Sequence, residues 1–315
     1  MTSPEGSVVS PTFNRLKYLR PAVDSVFAQT FTDWELIVAD DGSEGETAAY
    51  VAALANLPRV KVLRLAHSGN PGAVRNAACR VARGEYIAFL DSDDIWLPEK
   101  LARQVASLRS HPHRGWGYTA FAVIDESGDL LTGSRARWWP AVEGRILERW
   151  IKMEISIAVP SVIVKRQLFE QLAGFDLKLR MCEDYDLFLR LAALSEIDGV
   201  SETLVHVRKH REHFHSDSIA LEDQGRALEK MLAASDDRSL RSLLRRERAK
   251  VAASLARSQA VCGDRWAALR TVARSSHYSW SYREWWLGSA KAAARAVTPS
   301  GVLRVARAVV GRSRG

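Results

Sequence analysis

The sequence predicts an α/β fold: parallel strands covered by helices on both faces, followed by a helical C-terminal extension. Three observations predict it. Over the first hundred residues, short apolar runs alternate with segments of helical apolar spacing, the pattern of strand–helix–strand units. Several of those runs end in clusters of Asp, Gly, Ser and Pro, which are turn residues. After about residue 220 the chain becomes rich in Ala, Leu and Arg and keeps a helical pattern.

Taken in order, "SVVSPTFNR" reads as a short strand ending at Pro11, and "YLRPAVDSVFAQ" as a helix. "WELIVADDGS" is a buried strand running into acids and a glycine. "GETAAYVAALANL" is a helix, "RVKVLRLA" an alternating strand, and "GNPGAVRNAACRVARG" a glycine-bounded loop and helix. "EYIAFLDSDD" is the next strand. From 115 to 180 the pattern is less regular. "GWGYTAFAVID" and "AVPSVIVKR" read as strands, with "ARWWPAVEG" an exposed loop between them. "FDLKLRMCEDYDLFLRLAALS" reads as a loop entering a helix, with Leu187, Leu191 and Leu194 on one face.

Charge divides the chain. Residues 221–315 hold 19 Lys and Arg against 8 Asp and Glu, a balance of +11. Residues 1–220 hold 26 against 29, a balance of −3. The boundary expected from this is an α/β domain over 1–220 and a basic, mostly helical extension over 221–315. The first part carries no electrostatic footprint for nucleic acid. Three cysteines, Cys79, Cys182 and Cys262, match no zinc or disulfide spacing, which favours a reducing, cytoplasmic setting. The start "MTSPEGSVVS" lacks the basic and apolar regions of a signal peptide.

The densest chemistry is in "FLDSDDIWLP", where Asp91, Asp93 and Asp94 follow an apolar run. Carboxylates this close repel unless something positive sits among them, and oxygen-rich clusters suit hard cations such as Mg2+ or Mn2+. A solvated turn with an Asp helix cap explains the same residues, and both readings stand at this level. In parallel sheets ligands bind beyond the carboxyl ends of the strands. Three of those ends carry "PTFNR", "DDGS" and "DSDD".

The order of six segments resembles the family 2 glycosyltransferases, which have the GT-A fold. They are "VVSPTFNR", "SVFAQTFTDWELIVADDGS", "GNPGAVRNAACRVARGEYIAFLDSDDIWLPEKL", "PSVIVKR", "GFDLKLRMCEDYDLFLRLA" and "VRKH", spanning roughly residues 7–215. The resemblance implies a GT-A type nucleotide-binding sheet with flanking helices. It also implies transfer of a sugar, with inversion, from a nucleotide-diphosphate donor to a saccharide or lipid-linked acceptor. Asp91 and Asp93 would form the D-x-D pair, with Asp93 holding Mn2+ or Mg2+ on the diphosphate, Asp91 near the ribose and Ser92 between them. Asp40 would contact the nucleobase, and the imide N–H of uracil suits a carboxylate acceptor. Pro11, Thr12 and Asn14 would shape the nucleotide pocket, and Arg75 would face the nucleotide or its phosphates; a surface helix arginine with an acid partner explains Arg75 as well. Asp184 would be the general base, with Glu183 supporting the site; helix capping accounts for the same acids. Arg208 and His210 would lie near the donor phosphates, His210 completing the metal shell. Trp138 and Trp139 are candidates for acceptor contact.

Other classes compete. A nucleotidyltransferase uses acids and a metal, but "SPTFNR" is not its Gly- and Arg-rich phosphate loop. A signalling receiver carries an acid pair after its first strand, whereas "ADD" follows the second. A non-catalytic sugar-nucleotide binder would not need both Asp93 and Asp184. In the tail, a helix through "SGVLRVARAVVGRSRG" would place Arg304, Arg307 and Arg314 on one side and Val302, Ala306, Val309 and Val310 on the other. This pattern suits a peripheral contact with an anionic membrane face, and equally a helix packed on the catalytic domain or a solvated tail.

Overall fold

The structure, a computed structural model, describes residues 3–132, 138–209 and 217–297. The chain forms two compact units, Met1–Phe214 and His215–Gly315.

The first unit is built on one sheet in the order β3-β2-β1-β4-β8-β6-β9-β5. Strands β1 (Gly6–Thr12), β2 (Trp34–Asp40), β3 (Val60–Arg64) and β4 (Tyr86–Phe89) are mutually parallel. β2 is buried along its whole length and β1 along nearly all of it, as their continuous apolar character requires of central parallel strands. Helices α1 (Leu16–Phe27), α2 (Gly45–Leu54) and α3 (Pro71–Cys79) make the connections. Asn70 caps α3 by accepting from the Ala73 amide at 3.0 Å, and Pro71 opens the helix. Leu19, Val23 and Val26 of α1 pack with Val8, Leu36 and Val38 in the core.

The all-parallel expectation holds only for this half. After β5 (Ile95–Trp96) and α4 (Lys100–Ser110) comes β6 (Trp116–Ile124). The next pieces are β7 (Trp138–Trp139), α5 (Leu147–Ile151), β8 (Val162–Lys165), α6 (Arg166–Gln171), α7 (Glu183–Leu194) and β9 (Ile197–Arg208). β8 runs antiparallel to both β4 and β6, whereas β6 and β9 are parallel. "ARWWPAVEG", expected as a loop, contributes β7, whose tryptophans pair with Phe121 and Ala122. β6 meets β9 along one side, and on its other side meets β8 at residues 116–118 and β7 at 121–122. β7 therefore continues the line of β8 beyond Val162, toward the end at which β4 runs out into Asp91. Leu187 and Leu191 are buried, but Leu194, the last residue of α7, is exposed rather than on the core face.

The second unit consists of α8 (Asp217–Ala234), α9 (Arg238–Val261), α10 (Arg265–Ser279) and α11 (Arg283–Val297). An alanine face on α9, Ala249, Ala252 and Ala253, packs around Trp285 of α11. The helices approach closely: a Cβ added at Gly288 would sit 2.6 Å from that of Ala253. The tail residues from Val302 onward lie outside the described residues.

Candidate active site

The carboxyl ends of β1, β2 and β4 and the first turn of α7 supply the site. At the end of β1, Thr12 is buried and its hydroxyl has no hydrogen-bond partner among the described residues. Pro11 is half-buried. Asn14 has a left-handed backbone, φ 48°, which asparagine tolerates better than most residues. Its amide donates to Ser43 Oγ at 2.9 Å, and its Oδ1 accepts from the Glu44 amide at 2.9 Å. Asn14 thus stitches the end of β1 to the loop after β2. The Asp40 carboxylate is fully buried. Its Oδ1 accepts from the Ser43 amide at 3.0 Å. Its Oδ2 accepts no hydrogen bond among the described residues and lies 3.6 Å from Arg64 Nε. Asp41 is saturated by Ser68 and the Gly69 amide. Beside this corner Phe13 stacks on His67, centroids 4.0 Å apart. Sequence reasoning missed this aromatic pair; Phe13 was visible in "PTFNR", but its partner is not predictable from spacing.

Arg75 is the centre of the second cluster. α3 buries it to 5% exposure. It donates to Asp91 at 2.5 Å and to Glu183 at 2.9 Å, with the Phe175 ring 5.5 Å from its guanidinium carbon. Burial opposes the Arg75 charge, but Asp91 and Glu183 outweigh it and hold the guanidinium above the ordinary arginine range. Asp184, half-buried next to Glu183, accepts from the Tyr185 amide at 2.7 Å. Burial first, and then the Glu183 charge, push its carboxyl up to about 7, against the pull of that amide and of Arg75. Asp186, by contrast, is committed to Arg190 one turn on, at 2.7 Å.

The remaining acids of the turn each have a separate arginine as partner, through its side chain or its backbone. Arg15, just before α1, donates to Asp93 Oδ2 at 2.6 Å. The Arg208 amide donates to Asp94 Oδ1 at 2.7 Å, and its guanidinium donates to the carbonyls of Asp93, Asp125 and Glu126. Burial, then the charges of Asp93 and Asp91, raise the Asp94 carboxyl well above its usual range. Arg208 is buried and braces the backbone of the acidic turn beside Asp93. Ser92 is buried between Asp91 and Asp93. His210 falls outside the described residues. Trp138 and Trp139 are exposed on β7, with Trp138 Nε1 donating to Thr203 at 2.9 Å. The structure therefore joins Arg75, Asp91 and Glu183, with Asp184 adjacent, while Asp40 belongs to a separate set of contacts with Ser43 and Arg64. Arg15 was also missed by sequence reasoning, because it lies 78 positions from its partner.

Residues 7–173 match the family described as glycosyl transferase family 2. The chain belongs to that family. An uncharacterized glycosyltransferase of Methanocaldococcus jannaschii is 29% identical over 212 residues, 66% of this chain and 72% of that protein. A Rickettsia conorii counterpart is also 29% identical, over 202 residues, 64% of this chain but 32% of its own length. An Escherichia coli enzyme, UDP-Glc:alpha-D-GlcNAc-diphosphoundecaprenol beta-1,3-glucosyltransferase, is 36% identical over 102 residues, 32% of this chain and 40% of the enzyme. The matched regions thus range from about a third to about seven-tenths of these relatives' lengths. Residues 1–349 of Staphylococcus aureus TarS, solved in complex with UDP, superpose with a TM-score of 0.61 at 24% identity, covering 81% of this chain and 71% of that one. The likeness shows the GT-A type fold of this family 2 glycosyltransferase.

Proposed function

We propose that this glycosyltransferase moves a sugar, with inversion, from a nucleoside-diphosphate donor to a saccharide or lipid-linked acceptor, and that the donor is a UDP-sugar. The observation that carries the reading is the Arg75 bridge. One buried cation fixes Asp91, at the donor edge, and Glu183, beside an Asp184 whose proton affinity is set near neutrality. Asp184 takes the proton of the attacking acceptor hydroxyl, and a group poised near the working pH suits general-base work. Glu183 and Arg75 position it. Asp40 reads the nucleobase through Oδ2, the oxygen that lies 3.6 Å from Arg64 Nε. Thr12 and Asn14 line the nucleotide pocket. UDP is bound by the Staphylococcus protein of like fold, which supports the choice of base. The catalytic domain is residues 1–220 and the basic extension 221–315, in a cytoplasmic protein whose acceptor can be membrane-borne. Among the described residues no helix is long and apolar enough to cross a membrane.

A divalent cation fits the donor set in a limited way. Among the described residues no three acidic, His or Cys side chains converge into a cage. Mg2+ and Mn2+ on a diphosphate need only one or two carboxylates beside phosphate oxygens and water, and Asp93, at the strand end, would supply one. Bound there, the metal would offset the charge of the leaving diphosphate.

The test is a thermal-shift panel of nucleotides and nucleotide-sugars with and without Mn2+. UDP at 100 times its Kd stabilises by about 2.7 kcal/mol, a rise of roughly 5–10 °C. The rise should need Mn2+ and be lost in Asp93→Ala. An undiminished rise in excess chelator removes the metal from the reading, and CDP matching UDP removes Asp40 as the base reader.

A further inference from the structure

The second unit carries an exposed aromatic surface to which the reading above gives no role. Trp266 and Trp280, at the two ends of α10, are 74% and 67% exposed. Trp286 and Leu287 of α11 are 56% and 54% exposed. Tryptophan, with its large apolar area, is usually mostly covered. Fourteen residues make nearly four helical turns, so Trp266 and Trp280 lie on one side of α10, about 21 Å apart. Arg270, Ala273 and His277 fall between them on that side, and all are exposed. At the turn into α11 the Trp286 indole donates to the Trp280 carbonyl at 2.6 Å, making one aromatic corner with Leu287 beside it.

Charge on this surface has a single sign. α10 contains Arg265, Arg270, Arg274 and His277 and no acid. Over residues 265–297 there are six Lys and Arg and one acid, Glu284, and Glu284 is paired with Arg246 at 2.8 Å. The side is the convex flank of a helix rather than a groove, with tryptophan at both ends and arginine between. Such a face fits a flat, deformable and negatively charged partner. Indole rings settle at the headgroup level of a bilayer, and arginines are drawn to its anionic lipids.

We propose that the exposed side of α10, with the Trp280–Trp286 corner, docks the protein on an anionic phospholipid surface. The site is distinct from the basic tail beyond residue 297, and the proposal does not depend on which sugar or base the first unit recognises.

The experiment is co-sedimentation of the full chain with vesicles of equal phosphatidylglycerol and phosphatidylcholine, against phosphatidylcholine alone, at 0.1 and 0.5 M NaCl. The wild type should bind the anionic vesicles only and weaken at high salt. Trp280→Ser/Trp286→Ser should raise the lipid concentration for half-binding by about 10-fold or more, and Arg270→Glu/Arg274→Glu by at least as much. The second variant leaves the Trp286–Trp280 hydrogen bond in place, so lost binding there does not reflect a loosened turn. Arg304, Arg307, Arg312 and Arg314 changed together to Ser should leave most of the binding. Equal binding to neutral vesicles, wild-type binding by both α10 variants, or complete loss in the tail variant overturns the proposal. So does a wild-type dimer in sedimentation velocity that ignores vesicles and dissociates in the tryptophan variant, which would give this face to a second copy of the chain.

Discussion

Two regions of the first unit each shut a cation away from water, and they treat it in opposite ways. At the carboxyl edge of the sheet, Arg75 is gripped by Asp91 and Glu183, and its charge is reinforced. On the flank, at the start of α4, Lys100 is fully buried, and its Nζ has no hydrogen-bond partner among the described residues. The ammonium position sits 3.8 Å from the centre of the Trp96 ring, and burial lowers its pKa well below the ordinary lysine value. A buried charge is tolerated where acids repay its desolvation; elsewhere the group gives up its proton. The contrast separates a cation held for a site from a long side chain used as core.

The sharpest way to test the site half is through the acid next to Arg75. Asp184→Asn should cut kcat by about 100-fold or more while UDP still binds. In the wild type, kcat/KM should rise with pH as Asp184 loses its proton, with half the plateau reached near pH 7. Glu183 raises that value, so Glu183→Gln should move the acid limb to lower pH. A limb that stays put in Glu183→Gln would detach Asp184 from the pH profile.

Breaking the bridge itself comes next. Arg75→Gln leaves Asp91 and Glu183 without their cation, and removing one partner of a buried pair costs about 3–5 kcal/mol. The lower end is expected here because the Asp91 side chain is a quarter exposed. Urea unfolding should show it as a lower midpoint with an unchanged slope. Retained stability would mean that solvent reaches both acids.

Lys100→Met should have the opposite sign. Methionine fills a similar volume without a polar head, and removing a buried amine that lacks a hydrogen-bond partner should stabilise by roughly 1–3 kcal/mol, less what the Trp96 contact contributed. The sign with pH follows from the lowered value. Between the folded pKa and 10.5 the unfolded chain holds more protons, so wild-type stability rises with pH across that window. Lys100→Met should flatten this part of the profile. An unchanged slope would show that Lys100 is not the group responsible.

The donor half of this picture was legible because its signals are local. The ends of β2 and β4 announce themselves as apolar runs closing on acids, that of β1 as one closing on "PTFNR", and Asn70-Pro71 marks the start of α3. The pairing of Arg75 with two acids was not legible, since Glu183 lies 108 positions away. β9 was missed for a different reason. Its "IDGVSETLVHVR" breaks alternation at Gly199 and at Ser201-Glu202, and the strand changes register against β6 around Ala120. Two-residue strands such as β5 and β7 carry too few side chains for any period to show. Arg208 was not legible in its structural part: its hydrogen bonds to the Asp93, Asp125 and Glu126 carbonyls reach up to 115 positions along the chain.

That brace has a consequence for the order in which the protein is made. Asp91 and Asp93 are answered by Arg75 and Arg15, both of which leave the ribosome before them. Asp94 is answered by Arg208, 114 residues later. At about 5–20 residues per second, the nascent chain holds this aspartate for roughly 6–23 s before its partner is synthesised. The first four strands can pair in that interval, but the acidic turn at their edge cannot close. The acidic edge of the sheet is begun early in translation and is closed only once β9 has been made.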